Sequence, residues 1–216
     1  MTTQTEVNEQ VEKLKTGTTT IALLCSDGVV LAADKRATMG NLVANKEAEK
    51  VHKIQEHLGM TIAGSVGDAQ ALIRIMRVQT SLYEIQRGRK SSVEAAGTLL
   101  ANILQNTKYF PYYIGLNFGG YDSKPRLFSL DALGALMEEK ATSDGSGSPV
   151  AFGILEDYYK EGKSIKDNLP IAVRALKAAQ ARDTYSGNGY TVTFIDKKGF
   201  HKLTDKEVED ILKTFN

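Results

Sequence analysis

A threonine that follows a cut in the chain carries its own base, and the junction Gly17-Thr18 offers such a threonine. Residues 1–16 read MTTQTEVNEQVEKLKT, polar and without a continuous apolar run. Directly after Gly17 comes Thr18-Thr19-Thr20-Ile21-Ala22-Leu23-Leu24-Cys25, a β-rich and mostly apolar run. Cleavage between Gly17 and Thr18 would leave a hydroxyl and a free α-amine on one residue. An α-amine titrates near about 7.7–8.0, which makes it a usable general base at neutral pH beside the oxygen it must activate. A glycine before the cut leaves the backbone uncrowded for self-attack by the Thr18 hydroxyl. The dipeptide has an ordinary reading too, since Gly-Thr is common and threonine is at home in strands.

Such a nucleophile needs a cation to stabilise the developing negative oxygen, an acid to hold that cation, and backbone N–H donors for the oxyanion. Asp34 ends the run Ala32-Ala33-Asp34-Lys35-Arg36, and Lys50 opens Glu49-Lys50-Val51. Gly64, in Ala63-Gly64-Ser65-Val66-Gly67, lies where a strand passes into a helix, so no side chain blocks a substrate from a backbone N–H. Ser146 sits in a Gly-Ser-Gly loop, and Asp183-Thr184-Tyr185-Ser186-Gly187 follows a helix. Singly, each is also readable as a solvated Asp, a surface Lys, a turn glycine, or Asp and Ser bonding local backbone. Together those ordinary readings become hard to keep.

The elements that must position these residues follow from hydrophobic period. Thr19–Cys25 and Val29–Asp34 flank Ser26-Asp27-Gly28, a hairpin signal, and Lys50–Gln55 pairs with Met60–Gly64 through Glu56-His57-Leu58-Gly59. Ala69, Leu72, Ile73, Met76, Leu82 and Ile85 keep helical spacing, with Asp68 at the positive end of the dipole and Gly88 as a stop. A second helix runs over 92–107 with Val93, Ala96, Leu100, Ile103 and Leu104 on one face. Stretches 113–121, 126–131 and 136–142 form a meander, and 143–149 is a turn-rich loop. Helices over 150–160 and 165–182, strands over 190–196 and 200–203, and a helix over 205–213 complete the chain. Thr204 and Glu207 supply a capping box for the last helix. Helices arrive in consecutive pairs between groups of strands, which argues against regular βαβ alternation and for antiparallel sheets with helices layered outside.

Composition bounds the rest. A chain of 216 residues is one domain, or at most two small ones, and buries a substantial core without disulfides. The single cysteine, Cys25, lies inside an apolar strand, reads as a small core hydrophobe and fits a reducing, cytoplasmic compartment. Net charge is +1, and the first 17 residues hold three glutamates against two lysines, so the chain from Thr18 onward is +2. That is too little to imply nucleic acid or an anionic membrane as partner. The leader lacks the basic start and apolar stretch of a signal peptide, although Val7, Val11 and Leu14 could form a weak helical stripe. No segment has the length of a membrane-spanning helix, and there is no internal repeat.

The sequence resembles the β-subunits of the proteasome core particle, members of the N-terminal nucleophile hydrolases, and is most similar to the archaeal type. The matching stretches are Thr16-Gly17-Thr18-Thr19-Thr20, Ala32-Ala33-Asp34-Lys35-Arg36-Ala37-Thr38, the run from Met60 to Gln70, Gly145-Ser146-Gly147-Ser148-Pro149, and Arg182-Asp183 with Ser186-Gly187. They occur in order and with matching spacing from Thr16 to near the C-terminus. The resemblance implies an α+β fold, a four-layer αββα sandwich of two antiparallel sheets between helix layers. It also implies a leader, 1–17, removed by self-cleavage, and a single catalytic domain, 18–216. In its light Thr18 is the nucleophile and its amine the general base, Lys50 and Asp34 are charge partners, and Gly64 is the oxyanion donor. Ser146, Asp183 and Ser186 support the amine, and Thr38 aligns substrate by main-chain hydrogen bonds as an added strand does. Ala37, Ala48, His52, Ile62 and Val66 fall where the family lines its first specificity pocket; His52 departs from the apolar residue expected there.

The partners implied are α-subunits and other β-subunits in stacked seven-membered rings, a regulatory ATPase acting through the α-ring, and unfolded protein substrates. No metal or cofactor is implied. Three other readings compete. A non-catalytic ring subunit usually lacks the nucleophile or its lysine, whereas Thr18, Asp34 and Lys50 are all present. The bacterial two-ring relative is shorter and differs in its C-terminal half. A small-molecule amidase of the same class would not assemble into rings.

Overall fold

The computed structural model describes residues 17–215. The anticipated stripe of Val7, Val11 and Leu14 lies outside these residues. Twelve strands and five helices are found among those described.

The first hairpin forms as its apolar alternation requires. Strands β1 (Thr20–Cys25) and β2 (Gly28–Asp34) pair antiparallel with Thr20 opposite Ala33 and Cys25 opposite Gly28. Strands β11 (Tyr190–Asp196) and β12 (Gly199–Lys202) add beyond β2, and β10 (Ala141–Asp144) adds beyond β1, so the first sheet runs β10-β1-β2-β11-β12. The second sheet runs β5-β6-β7-β8-β9, from Val51–Gln55, Leu58–Gly64, Ile114–Tyr121, Pro125–Leu130 and Leu136–Glu138. A small separate hairpin joins β3 (Ala37–Met39) to β4 (Leu42–Asn45).

Two outer helix layers cover these sheets. Helices α1 (Val66–Arg87) and α2 (Val93–Asn106) bury Leu72, Ile73, Met76, Leu100 and Leu104 against Met60, Leu116, Phe118 and Phe128 of the second sheet. Helices α3 (Ser148–Tyr158), α4 (Ile165–Gln180) and α5 (Asp205–Lys213) bury Ala151, Leu155, Ala172, Leu176 and Val208 against Ile21, Leu23, Val30 and Val192 of the first. Alternate residues of β1 and β2 point the other way. Ala22, Val29, Leu31 and Ala33 pack with Val51, Leu127 and Ile195. The period of two thus assigns one face to a helix layer and the other to the facing sheet. The result is the four-layer αββα sandwich that the sequence implies.

Local signals agree with these elements. Ser65 caps α1, Gly88 ends it in the left-handed region at φ 64°, and Ser92 caps α2. Ser164 with Asp167, and Thr204 with Glu207, close reciprocal capping boxes on α4 and α5. Each such cap is worth about 1 kcal/mol. Cys25 is buried and free, with its thiol pushed up to about 12 by burial, so it behaves as a core hydrophobe.

Two expectations need correction. The stretch 136–142 is not one meander strand: Leu136–Glu138 ends the second sheet, and Ala141–Asp144 crosses to pair with β1 in the first. Glu139 and Lys140 make the crossing, and a run this short gives period no way to separate two strands. Leu82 and Ile85 do not continue the buried face: at about 3.6 residues per turn they fall on the side of α1 opposite Ala69, Leu72, Ile73, Met76 and Thr80, and they are exposed, at 43% and 80%. Met39, Leu42 and Val43 of the β3–β4 hairpin are also exposed. With no buried face, that hairpin left no alternation to read.

Candidate active site

Four strand ends and two loops converge on Thr18. Thr18 immediately precedes β1 and is 3% exposed. Gly145, after β10, has φ +93°, and a Cβ there would lie 2.2 Å from the Thr18 carbonyl oxygen. Only glycine combines that backbone with that approach. The turn it makes presents the Gly147 N–H to the same carbonyl at 3.3 Å and brings Ser146 Oγ to 3.2 Å from the Thr18 nitrogen, which donates to it.

A hydrogen-bond chain runs on from that nitrogen. Ser146 Oγ donates to Asp183 Oδ2 at 2.7 Å, and Ser186 Oγ donates to the same oxygen at 2.6 Å. Thr19 Oγ1 lies 2.6 Å from Ser186 Oγ. Since Ser186 spends its proton on Asp183, Thr19 is the donor. Asp183, just beyond α4, therefore anchors both serines, and through Ser146 it polarises whatever occupies the Thr18 nitrogen.

On the other side stands a buried ion pair. Lys50 Nζ lies 2.7 Å from Asp34 Oδ1, with side chains 8% and 0% exposed. Asp34 also accepts the Thr19 N–H on Oδ1, and the N–H groups of Arg36 and Gly187 on Oδ2, each at 3.0 Å. A fully buried carboxylate holding four donors is the arrangement in which a buried charge is tolerated. Burial pushes the Lys50 ammonium below its usual range, and the attraction of Asp34 opposes that shift, with Asp183 adding to the attraction and Arg36 subtracting. An amine held between these influences is a responsive electrostatic partner for a nearby oxygen.

Thr18 and Lys50 open onto a cleft of about 640 Å³. Ala37, Thr38, Ala48, His52, Ile62, Gly64 and Val66 also line it, so every pocket residue expected from the sequence is in its wall. The Thr38 hydroxyl is buried without a hydrogen-bond partner among the described residues. Gly64 ends β6 with φ +123° and stands opposite Ile114. His52 is lowered from its ordinary 6.5, first by burial.

Several contributors escaped the sequence reading. Thr19 joins both halves of the site through its N–H and its hydroxyl. Arg36 bonds the Thr184 carbonyl at 2.7 Å and Asn188 Oδ1 at 2.8 Å, pinning the loop that presents Gly187. Both belong to stretches already singled out, so adjacency was the available signal. Exposed Glu47, Glu49, Arg74 and Arg77 also line the cleft, as does buried Ile73. The cleft is therefore not purely apolar: small and aliphatic residues share it with charges of both signs. Among the described residues no group of three or more metal-ligating side chains is gathered, and no helix is long and apolar enough to cross a membrane.

Two facing antiparallel sheets between helix layers, with the functional cluster at one end of the sandwich, define the N-terminal nucleophile hydrolase fold. The sequence profile described as "Proteasome subunit" matches residues 14–195. The chain is 51% identical over 199 residues to a "Proteasome subunit beta" of Methanocaldococcus vulcanius, covering 91% of this chain and 89% of that one. It is 47% identical over 207 residues to one of Methanococcus aeolicus, covering 94% and 95%. A third, of Methanocaldococcus jannaschii, is 49% identical over 199 residues, covering 91% and 89%. The chain belongs to the proteasome subunit family.

Proposed function

We propose that this protein is a threonine endopeptidase of the proteasome core particle, self-processed at Gly17-Thr18. The observation that carries the reading is the double engagement of Thr18. Its nitrogen ends the Ser146–Asp183–Ser186 chain, and the residue shares its cleft with the buried Lys50–Asp34 pair. In the uncut chain that nitrogen is an amide. Attack of the Thr18 hydroxyl on the Gly17 carbonyl moves the acyl group from nitrogen to oxygen, and water then hydrolyses the ester. The Gly17 carboxylate departs with the leader, 1–17, and the α-amine is left where Ser146 and Asp183 already hold the nitrogen.

In the mature domain, 18–216, the amine takes the hydroxyl proton as Thr18 Oγ attacks a peptide carbonyl. Lys50 stabilises the oxygen, and the Gly64 N–H binds the oxyanion. Collapse gives an acyl-enzyme ester on Thr18, and the leaving amine takes the proton. Water, deprotonated by the same amine, releases the second product. Thr38 aligns the substrate as an added strand, with Ala37, Ala48, His52, Ile62 and Val66 forming the pocket for the residue before the cut. The proposed setting is the cytoplasm, in stacked seven-membered rings with α-subunits and other β-subunits, fed with unfolded chains by a regulatory ATPase through the α-ring.

Intact mass tests this most directly. The full chain is measured alone and after mixing with a matching α-subunit, beside Thr18→Ala. Loss of residues 1–17 only on mixing, and never in Thr18→Ala, is expected. A mature N-terminus at any other residue overturns the reading.

A further inference from the structure

Asp144 is the last residue of β10 and immediately precedes the Gly145-Ser146-Gly147 turn. Its carboxyl points between the sheets, into space that Gly115 of β7 leaves open: a Cβ on Gly115 would lie 1.7 Å from Asp144 Oδ2 and 2.4 Å from its Cγ. Gly115 stands opposite Ala63 in β6, one residue from Gly64. The carboxyl thus wedges between β7, the neighbour of the strand that carries Gly64, and the turn that holds Thr18.

The carboxyl accepts the Gly145 N–H on Oδ1, at 2.7 Å. Thr20, opposite Asp144 in the ladder, bonds its main-chain carbonyl instead. Burial raises the Asp144 pKa and the Gly145 bond opposes it; neither Gly115 nor Thr20 is titratable, and no charged group among the described residues contributes. A half-buried carboxylate with this little support weakens the fold. The sign follows from proton linkage. The folded chain holds a proton on Asp144 at pH values where the unfolded chain has released it. Stability therefore falls as pH rises above 3.8, the group's ordinary value. A side chain that costs stability, yet bonds the residue packed on the Thr18 carbonyl, has its explanation in the site.

We infer that Asp144 is a positioning residue: its carboxylate fixes the Gly145 N–H, and so seats Ser146 against the nitrogen of Thr18. The inference rests on the threonine-peptidase reading and adds a residue to it. Asp144 touches no substrate. It acts through the turn, and its effect falls on the chemical step rather than on substrate binding.

The test uses the full chain assembled with a matching α-subunit, as parent, Asp144→Asn, Asp144→Ala, Gly115→Ala and Thr18→Ala. Asp144→Asn keeps the shape and removes the charge, and Gly115→Ala pushes the carboxyl from its seat by crowding. In all three, leader release followed by mass should slow. On a fluorogenic peptide kcat should fall roughly tenfold in Asp144→Ala, the scale of losing a hydrogen bond to a charged group, and by at least about threefold in Asp144→Asn, whose neutral amide oxygen accepts the Gly145 N–H more weakly, with KM within about twofold. Asp144→Asn should also melt higher than the parent at neutral pH and lose the fall in stability that sets in as pH rises above 3.8. Asp144→Asn with unchanged kcat and leader release, in particles that assemble normally, overturns the inference and leaves the nucleophile assignment standing. A fall in kcat matched by a rise in KM and a lower melting temperature also overturns it, as general unfolding. Peptidase activity that survives in Thr18→Ala overturns both readings.

Discussion

Gly17 and Tyr185 approach so closely that a Cβ on Gly17 would lie 1.8 Å from Tyr185 Cβ and 2.8 Å from Ser146 Oγ. The glycine before Thr18, the proposed nucleophile, is therefore demanded by space as well as by ease of attack. Gly17→Ala must displace either Tyr185 or the residue that holds the Thr18 nitrogen. Leader release from Gly17→Ala, followed by mass, should be slowed at least about tenfold, since small misplacements at a reacting centre cost that much or more. Gly17→Ala combined with Tyr185→Ala should recover part of the rate. Equal rates in Gly17→Ala and the parent would remove the steric argument.

The buried pair gives the second expectation. Lys50→Ala removes the cation nearest in role to the developing oxyanion and should lower kcat by about a hundredfold or more. Lys50→Arg should not rescue it, because a guanidinium is bulkier and never gives up its proton. Asp34→Asn should be just as harmful for a different reason. Asp34 accepts four hydrogen bonds at zero exposure, and an amide can accept on only one of its two ends. Breaking such a buried pair costs about 3–5 kcal/mol, so Asp34→Asn should melt lower as well as turn over slowly. Peptidase activity within a few-fold of parent for Lys50→Ala would refute the assignment.

The difference between what the residues disclosed and what they withheld has physical causes. As candidates, Thr18, Asp34, Lys50 and Gly64 stood out because each sits at or beside the end of a patterned strand, whereas Ser146, Asp183 and Ser186 read alone as turn chemistry and drew their proposed roles from the family resemblance. The four layers were legible because β1 and β2 bury both faces. The β3–β4 hairpin was not, since β4 is wholly exposed and β3 has one buried residue. The charged rim of the cleft was not either, because Arg74 and Arg77 reach it from the polar side of α1, a face that sequence reading assigns to solvent. Asp144 is the sharpest omission: an acid beside a glycine reads as turn chemistry until Gly115, distant in sequence, is seen to make room for it.

His52 sets the third expectation, in acid. Burial lowers it from 6.5, with Arg77 and Lys202 adding to the effect and Glu49 opposing. The folded state therefore binds fewer protons than the unfolded one just below pH 6.5, and stability is lost as pH falls through that range. His57, also lowered by burial, acts in the same direction. As pH falls from about 7 to 5, the histidines lower the melting temperature while Asp144 acts in the opposite direction, so the check is the difference between variants: His52→Gln should lose less stability, or gain more, than the parent over that range. Any rise in cleavage after acidic residues caused by charging His52 should then appear below its ordinary value, not between pH 6 and 8 as an unshifted histidine would give. A ratio of acidic to apolar cleavage that is the same in His52→Gln and parent down to about pH 5 removes His52 from the pocket.

Specificity is the last expectation, and it follows from which residues form the cleft wall and which its rim. Ile62 and Ile73 are buried and Ala48 is half-buried, whereas Glu47, Glu49, Arg74 and Arg77 are exposed. A large apolar side chain seated against the aliphatic wall gains roughly 1.5–3 kcal/mol. A charged one entering as deeply loses hydration without a buried partner, while exposed rim charges are screened and return about 1 kcal/mol or less. Cleavage should therefore run mainly after large apolar and aromatic residues and be poor after Lys or Arg. Ala48→Phe fills the wall and should lower kcat/KM for a peptide with Leu or Phe before the cut by about tenfold, while a peptide with Ala there is little affected. Fluorogenic peptides differing only at that residue read both effects. Preferred cleavage after Arg or Lys would mean that Glu47 and Glu49, rather than the aliphatic wall, govern the pocket.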